Sequence, residues 1–129
     1  MQDREILRGD IYYVDFGFRH GCEQSGMRPV LIIQNDVGNH YSKTVIVAPL
    51  SSRIKKMYLP THVLVYPGCS GLQYRSVVML EQITTVDKNQ LQAYVGRLHP
   101  SVMRTVDRAI CESTGVIPCG NKSKMKSNA

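Results

Sequence analysis

Long apolar segments are missing from this chain of 129 residues. No apolar run approaches the roughly 20 residues that a helix needs to cross a bilayer, so we expect no membrane partner. Residues 1–5, Met-Gln-Asp-Arg-Glu, are charged where a secretory signal would have an apolar core. Together these two absences favour a cytoplasmic protein.

Paired metal-binding residues and nucleotide-binding loops are missing too. The cysteines form no Cys-x-x-Cys pair, and no histidine stands at zinc-finger spacing from them. We therefore expect free thiols in a reducing compartment and no metal site. No Gly-x-Gly-x-x-Gly or Walker-type loop follows a predicted strand, and we expect no cofactor. The scattered residues concerned are Cys22, Cys69, Cys111, Cys119, His20, His40, His62 and His99.

Acidic residues are in the minority. There are 10 of them against 16 lysines and arginines, which gives a formal net charge of +6 and a pI of about 9.3. Such a balance favours polyanionic partners, although Lys122, Lys124 and Lys126 contribute part of it from the C-terminal end. The hydrophobic share of 43% is typical of one globular domain.

Short apolar and β-branched runs separated by turn formers predict a mainly β protein. Residues 36–42 are rich in turn formers, and the period changes to that of a helix only after Pro100. We predict an α+β fold: a small, strongly curved antiparallel barrel with a C-terminal helix packed on it. The predicted strands are 11–16, 29–35, 44–50, 61–65, 76–86 and 91–98.

The C-terminal helix is predicted from one apolar stripe, and Gly115 and Pro118 are expected to end it. After it, the composition is small, polar and basic. We therefore predict a single domain at 1–118 and a disordered tail at 119–129. The stripe consists of Val102, Met103, Val106, Ala109 and Ile110.

A polar loop, residues 17–27, runs directly into an apolar strand. Arg28 stands at that junction, immediately before Pro29. An arginine held there, near Glu23 and Gln24, can bind a phosphate. A solvated or salt-bridged arginine is the commoner alternative on this pattern alone.

Five ordered segments resemble the MazF/PemK/Kid toxins, and most closely the EndoA-like MazF branch of Gram-positive bacteria. The resemblance covers about residues 8–113. Arg8-Gly9-Asp10, within the first segment, would be an adhesion motif only in an extracellular loop, which nothing else supports. The segments are 8–12 (RGDIY), 21–29 (GCEQSGMRP), 34–36 (QND), 59–63 (LPTHV) and 80–87 (LEQITTVD).

The resemblance implies an SH3-like or CcdB-like fold and a homodimer that acts as the toxin of a type II toxin–antitoxin system. It implies metal-independent, sequence-specific cleavage of single-stranded RNA, including mRNA, to 2′,3′-cyclic phosphate and 5′-hydroxyl ends. A U-A-C-A-U-type site is what this branch suggests. The implied partner is a MazE-like antitoxin that covers the RNA groove and joins the toxin in binding the operon DNA.

Carried over residue by residue, the resemblance makes Arg28 and Ser51 the catalytic residues. Ser51 stands where the Gram-positive branch has a threonine, and both hydroxyls can donate to a phosphate oxygen. Tyr41 and Tyr74 are loop tyrosines able to stack on bases, although tyrosines packed on a barrel rim are commoner. The expected RNA-binding residues are Arg19, His20, Glu23, Gln24, Ser52, Arg53, Lys55, Lys56, Tyr58 and Gln82.

One departure from the family matters for mechanism. The Kid branch uses a histidine, an arginine and an aspartate where this chain has Cys22, Met79 and Glu81. The chemistry is therefore expected to rest on Arg28 and Ser51. Two alternatives stay open: a CcdB-like toxin that binds DNA gyrase, and a homologue that binds RNA without cleaving it.

Overall fold

The computed structural model describes residues 4–17, 26–54, 59–68 and 70–117. Within them lie seven strands, two α-helices and two single-turn 3₁₀ helices at Leu80–Gln82 and Lys88–Gln90. The predicted tail, 119–129, lies outside the described residues. The elements are β1 (Asp10–Asp15), β2 (Met27–Ile32), α1 (Asp36–Tyr41), β3 (Thr44–Ser51), β4 (His62–Val65), β5 (Ser76–Met79), β6 (Thr84–Asp87), β7 (Leu91–Arg97) and α2 (Pro100–Thr114).

The strands form one antiparallel sheet in the order β4-β5-β3-β2-β1-β7. Along the edge opposite β2, β3 pairs first with β6, from Thr44 to Val47, and then with β5 at Leu50 and Ser51. One strand thus holds three neighbours. The predicted α+β class, with an antiparallel sheet and a C-terminal helix, is confirmed.

Both faces of the central strands are buried, which explains their nearly continuous apolar sequences. Ile11 and Leu31 belong to a cluster of buried residues that includes Val106 of α2. Tyr12 and Val30, their neighbours in sequence, belong to a second cluster on the other face. Successive side chains of a strand point to opposite faces, so each strand contributes to two cores.

Helix α2 confirms the predicted apolar stripe, because Val106 and Ala109 are buried. At its start His99 Nδ1 accepts a hydrogen bond from the Ser101 N–H at 3.1 Å. At its end Gly115 adopts a left-handed conformation, φ 75°, which caps the helix as predicted. Pro118, the second expected terminator, lies outside the described residues.

The Arg8-Gly9-Asp10 segment is structural. Asp10 is fully buried. It accepts a hydrogen bond from the Leu7 N–H at 2.9 Å and one from Arg97 at 3.2 Å. Arg8 forms an ion pair with Asp107 of α2 at 2.7 Å. These contacts attach the start of β1 to β7 and to the helix.

The single strand predicted at 76–86 is wrong. The chain breaks into β5, a 3₁₀ turn at Leu80–Gln82, and β6. The Leu80 N–H donates to the Thr61 carbonyl, and the Glu81 carboxylate accepts from Thr61 Oγ1 at 3.0 Å. These long-range contacts fold the segment into a turn, so Glu81 and Gln82 do not alternate across a strand.

The turn predicted at 36–42 is instead the short helix α1. Asn35 caps it, since its Oδ1 accepts from the Gly38 N–H at 2.7 Å. The side chain thus provides an acceptor for one of the first backbone N–H groups, which have no partner within the helix. The turn-forming residues therefore act here as a helix cap, and α2 is accompanied by a second, shorter helix.

Candidate functional site

A cavity of about 200 Å³ opens where β2 begins and β3 ends. Arg28, Ser51 and Ser52 all line it. Tyr13 of β1 and Tyr74, from the segment before β5, add two aromatic residues to its lining. The structure therefore brings both predicted catalytic residues, and one predicted RNA-binding residue, to one opening.

The register of the sheet explains why Arg28 and Ser51 meet. Val30 of β2 pairs with Pro49 of β3, and Leu31 pairs with Ala48. In an antiparallel pair the two residue numbers keep a constant sum, so two further steps bring position 28 level with position 51. These residues are 23 positions apart in the chain (51 − 28), yet they occupy adjacent strand ends.

Ser51 is half-buried, and its hydroxyl group has a defined role in the local geometry. Ser51 Oγ accepts a hydrogen bond from the Arg53 N–H at 3.1 Å. A serine oxygen that accepts one bond keeps its own hydrogen to donate. This arrangement suits donation to an anionic oxygen. The Ser52 and Arg53 side chains are both exposed beside it.

Arg28 is half-buried at the start of β2, level with Val14 of β1. Pro29, which follows it, pairs with Tyr13 and also lines the cavity. Because Arg28 belongs to a strand, its backbone is fixed at the edge of the opening. A guanidinium carries a permanent charge and presents a planar set of donors suited to phosphate.

Glu81 and Gln82 lie on the 3₁₀ turn and do not line the cavity. Glu81 Oε2 lies 2.9 Å from His62 Nε2. Burial favours a raised pKa for Glu81, but the hydrogen bonds from His62 and Thr61 outweigh it and the pKa is lowered. Glu81 therefore connects the turn to β4, and Met79, another Kid-branch position, pairs with His62.

The cavity wall before β5 is tightly anchored. A Cβ atom placed on Gly71 would lie 2.0 Å from the carbonyl oxygen of Val95 in β7. Leu72 is buried beneath the wall. Ser76 Oγ donates to the Tyr74 carbonyl at 3.0 Å. Close backbone packing and this hydrogen bond hold the segment in place.

Seven lining residues were not identified as site residues from the sequence: Tyr13, Met27, Pro29, Leu50, Leu72, Gln73 and Ser76. Burial of Tyr12 and Val14 implies that Tyr13 faces the other side of β1. No sequence pattern indicated that this part of the sheet face is left open by α2. Tyr41, by contrast, lies on α1 with its ring against His40, 4.5 Å between centroids, and does not line the cavity.

Several predicted RNA-binding residues lie outside the described part of the chain. Within the described part, no group of three or more His, Cys, Asp and Glu side chains is placed to hold a metal ion. In that same part, no helix is long and apolar enough to cross a membrane. The residues outside the description are Arg19, His20, Glu23, Gln24, Lys55, Lys56 and Tyr58, together with Cys22.

Known proteins resemble this chain over most of its length. Endoribonuclease EndoA of Bacillus subtilis is 44% identical over 112 residues, covering 87% of this chain and 97% of EndoA. Endoribonuclease MazF of Staphylococcus saprophyticus is 48% identical over 111 residues, covering 86% and 92%.

A comparison of folds also finds an endoribonuclease. A mycobacterial endoribonuclease solved in complex with its cognate antitoxin superposes with a TM-score of 0.74 at 26% identity, over 88% of this chain and 98% of that one. A family model described as the PemK-like, MazF-like toxin of type II toxin–antitoxin systems matches residues 7–114. The chain belongs to this family of toxins.

Proposed function

We propose that this toxin is a metal-independent endoribonuclease that cleaves single-stranded RNA in the cavity at the start of β2 and the end of β3. The observation that carries the proposal is the meeting of Arg28, Ser51 and Ser52 at one opening. The relatives that are 44% and 48% identical are named endoribonucleases, which supports the same activity.

The proposed reaction is attack by the ribose 2′-hydroxyl on the adjacent phosphorus. The bond from the 2′-oxygen to phosphorus forms, the bond to the 5′-oxygen breaks, and a 2′,3′-cyclic phosphate remains. The attacking hydroxyl loses a proton, and the leaving 5′-oxygen gains one. DNA lacks the 2′-hydroxyl and is therefore not cleaved.

Arg28 and Ser51 have distinct roles in this proposal. The Arg28 guanidinium stabilises the charge that develops on the phosphorane, and the Ser51 hydroxyl donates a hydrogen bond to one of its oxygens. A guanidinium does not give up its proton in proteins, so an arginine is a poor general base. Glu23, the carboxylate of the first loop, is our candidate to accept the 2′-hydroxyl proton.

RNA is proposed to leave the cavity along the basic segment that follows β3. Ser52 lines the cavity, and Arg53 lies exposed next to it. Positive side chains near a reactive centre attract the phosphate backbone without reading its sequence. The further RNA-binding residues, proposed on sequence alone except for the half-buried Gln82, are Arg19, His20, Gln24, Lys55, Lys56, Tyr58 and Gln82.

The proposal extends to partners and location. The mycobacterial relative was solved with its cognate antitoxin, and we propose that a MazE-like antitoxin likewise inhibits this toxin and binds operon DNA with it. The functional unit is proposed to be a cytoplasmic homodimer. The dimer and the sequence specificity rest on the family resemblance.

The test is cleavage of a mixed-sequence single-stranded RNA in EDTA by the wild type and by Arg28→Ala, with DNA of the same sequence alongside. We expect discrete cuts in RNA alone, cyclic phosphate ends, and loss of cleavage in the variant. Arg104→Ala removes one exposed charge from α2 and serves as the matched control. RNA left intact by the wild type would overturn the proposal and favour a protein target such as gyrase, or RNA binding alone.

A further inference from the structure

The cavity has an aromatic part that the proposed chemistry does not use. Tyr13 and Tyr74 line it together with Gln73, and none of the three is needed for charge stabilisation or hydrogen bonding at the phosphate. We propose that these three residues form a subsite for one RNA base that flanks the cleaved phosphate. This inference rests on the proposed function and adds a specificity determinant to it.

Exposure of the rings supports a stacking role. Tyr13 is 36% exposed and Tyr74 is 63% exposed, whereas Tyr12, the neighbour of Tyr13, is fully buried in the core. Burial of a tyrosine ring is favourable, so two exposed rings beside one cavity leave apolar surface available to a ligand. A nucleobase has an apolar face of matching shape, and stacking on tyrosine removes both faces from water.

The size of the opening limits what it can hold. Drug-sized ligands occupy pockets of roughly 300–1,000 Å³, and this cavity is about 200 Å³. It therefore suits a group of the size of a single base, next to a phosphate at Arg28 and Ser51. A longer stretch of RNA must continue over the surface outside the cavity.

Base selection requires a hydrogen-bonding group as well as stacking. Gln73 is exposed at the cavity, between buried Leu72 and Tyr74 in the chain. A glutamine amide offers both a donor and an acceptor, so it can discriminate among base edges. Stacking by the tyrosines would give affinity for any base, and Gln73 would give preference among bases.

The wall that carries Gln73 and Tyr74 is preorganised. Gly71 and Gly96 approach so closely that a Cβ on Gly96 would lie 2.1 Å from the Ser70 carbonyl oxygen. Ser70 is itself buried and donates to the Tyr66 carbonyl at 2.8 Å. A rigid wall loses little conformational entropy when a base stacks on it, which strengthens binding.

The test couples a change in the protein to a change in the RNA. An oligonucleotide that the wild type binds is prepared with an abasic ribose at each position in turn, and with a 2′-deoxy substitution that blocks cleavage for the binding measurements. Kd is measured for wild type, Tyr74→Ala and Tyr74→Phe. We expect one abasic position flanking the cleaved phosphate to weaken wild-type binding by roughly 5- to 100-fold.

Coupling between the two changes decides the outcome. In Tyr74→Ala, removal of that same base should raise Kd by less than twofold, because the stacking partner is already gone. Tyr74→Phe, which keeps the ring, should behave as the wild type. In Gln73→Ala, the abasic substitution should still weaken binding as it does in the wild type. The differences in Kd among the bases at that position should become smaller. Tyr66→Ala, which changes a tyrosine outside the cavity that is as exposed as Tyr74, is the matched control.

If Tyr74→Ala and removal of the base each weaken binding by the same factor whether or not the other change is present, the base subsite is overturned. It is also overturned by a Tyr74→Ala protein whose only change is in its oligomeric state, measured by sedimentation, because the ring would then be part of an interface between copies. Cleavage is assayed separately on the all-ribose RNA. Coupled binding without cleavage contradicts the proposed function alone, and cleavage without coupling contradicts this inference alone.

Discussion

Gly71 and Gly96 pack backbone against backbone. A Cβ on Gly71 would lie 2.0 Å from the Val95 carbonyl oxygen, and a Cβ on Gly96 would lie 2.1 Å from that of Ser70. Real Cβ atoms do not approach carbonyl oxygens this closely. The contact joins the segment before β5 to strand β7, and it thereby fixes one wall of the cavity that contains Arg28 and Ser51.

Substitution of Gly71 should therefore be much more damaging than substitution of a nearby glycine. Gly68 has the same kind of backbone, φ 99° against 80° for Gly71, but among the described residues a Cβ on Gly68 meets nothing within 4 Å. Both Gly→Ala changes strain the backbone, and only Gly71→Ala adds a steric clash. We expect Gly71→Ala to lower the free energy of unfolding by about 1–3 kcal/mol more than Gly68→Ala does.

Urea unfolding of the two variants measures this difference. RNA affinity provides a second readout, because displacement of the wall also moves Tyr74. Equal stabilities for the two variants would show that the segment shifts away from β7 at little cost, and the wall could then not be called rigid.

The sequence predicted most of the sheet because local patterns determine its strands. The apolar run at 44–50 matches β3, which spans Thr44–Ser51, and the stripe after Pro100 matches α2. Burial on both faces makes such runs continuous, and a continuous run is recognisable without any tertiary information.

The break in the predicted strand 76–86 was not predictable in the same way. Glu81 is held by Thr61 and His62, which lie 20 and 19 residues earlier in the chain. A pattern within one segment carries no information about such partners. The local apolar run was real, but contacts from Thr61 and His62 determined the backbone.

For the site, too, the sequence predicted individual residues but not the long-range contacts that bring them together. Arg28 was singled out by its place before Pro29 and Ser51 by a resemblance, but their meeting depends on the pairing register of β2 and β3. Tyr13 was recognised only as a strand residue, since nothing in the sequence shows where α2 stops covering the sheet. Residues Glu23 and Gln24 stay predictions from sequence, because they lie outside the described part of the chain.

The pair formed by Glu81 and His62 should make stability depend on pH. Burial acts to raise the pKa of Glu81, but hydrogen bonds to its charged form lower the pKa overall. A carboxyl whose pKa is lowered on folding stabilises the fold at pH values above its unfolded pKa of about 4.3. That contribution is lost as the pH falls through the folded pKa.

Glu81→Gln tests this dependence. At pH 7 the variant should be less stable than the wild type by about 1 kcal/mol. As the pH falls below the unfolded value of about 4.3 and through the lowered folded pKa, the difference should shrink, because the wild-type carboxyl becomes neutral as well. Unfolding is followed at several pH values, with Glu112→Gln on α2 as a control that leaves this cluster intact. A difference that stays constant down to the acid end would rule out ionisation of Glu81 as its source.

The Ser51 hydroxyl should matter to the rate more than to binding. Its oxygen accepts from the Arg53 N–H at 3.1 Å, so its hydrogen can be donated to the phosphorane. Loss of one donor to a developing oxyanion typically costs about 100-fold or more in kcat. We expect Ser51→Ala to show such a loss with little change in KM, and Ser51→Thr, which keeps the hydroxyl, to retain most of the rate.

Ser52→Ala is the matched comparison, because Ser52 lines the same cavity as the next residue in the chain. If Ser52 only contacts the RNA backbone, its variant should change KM by a few-fold and leave kcat nearly unaltered. Single-turnover cleavage at saturating enzyme isolates the chemical step for all three variants. A large kcat loss in Ser52→Ala together with a normal rate in Ser51→Ala would transfer the donor role to Ser52, since the two hydroxyls lie at the end of the same strand.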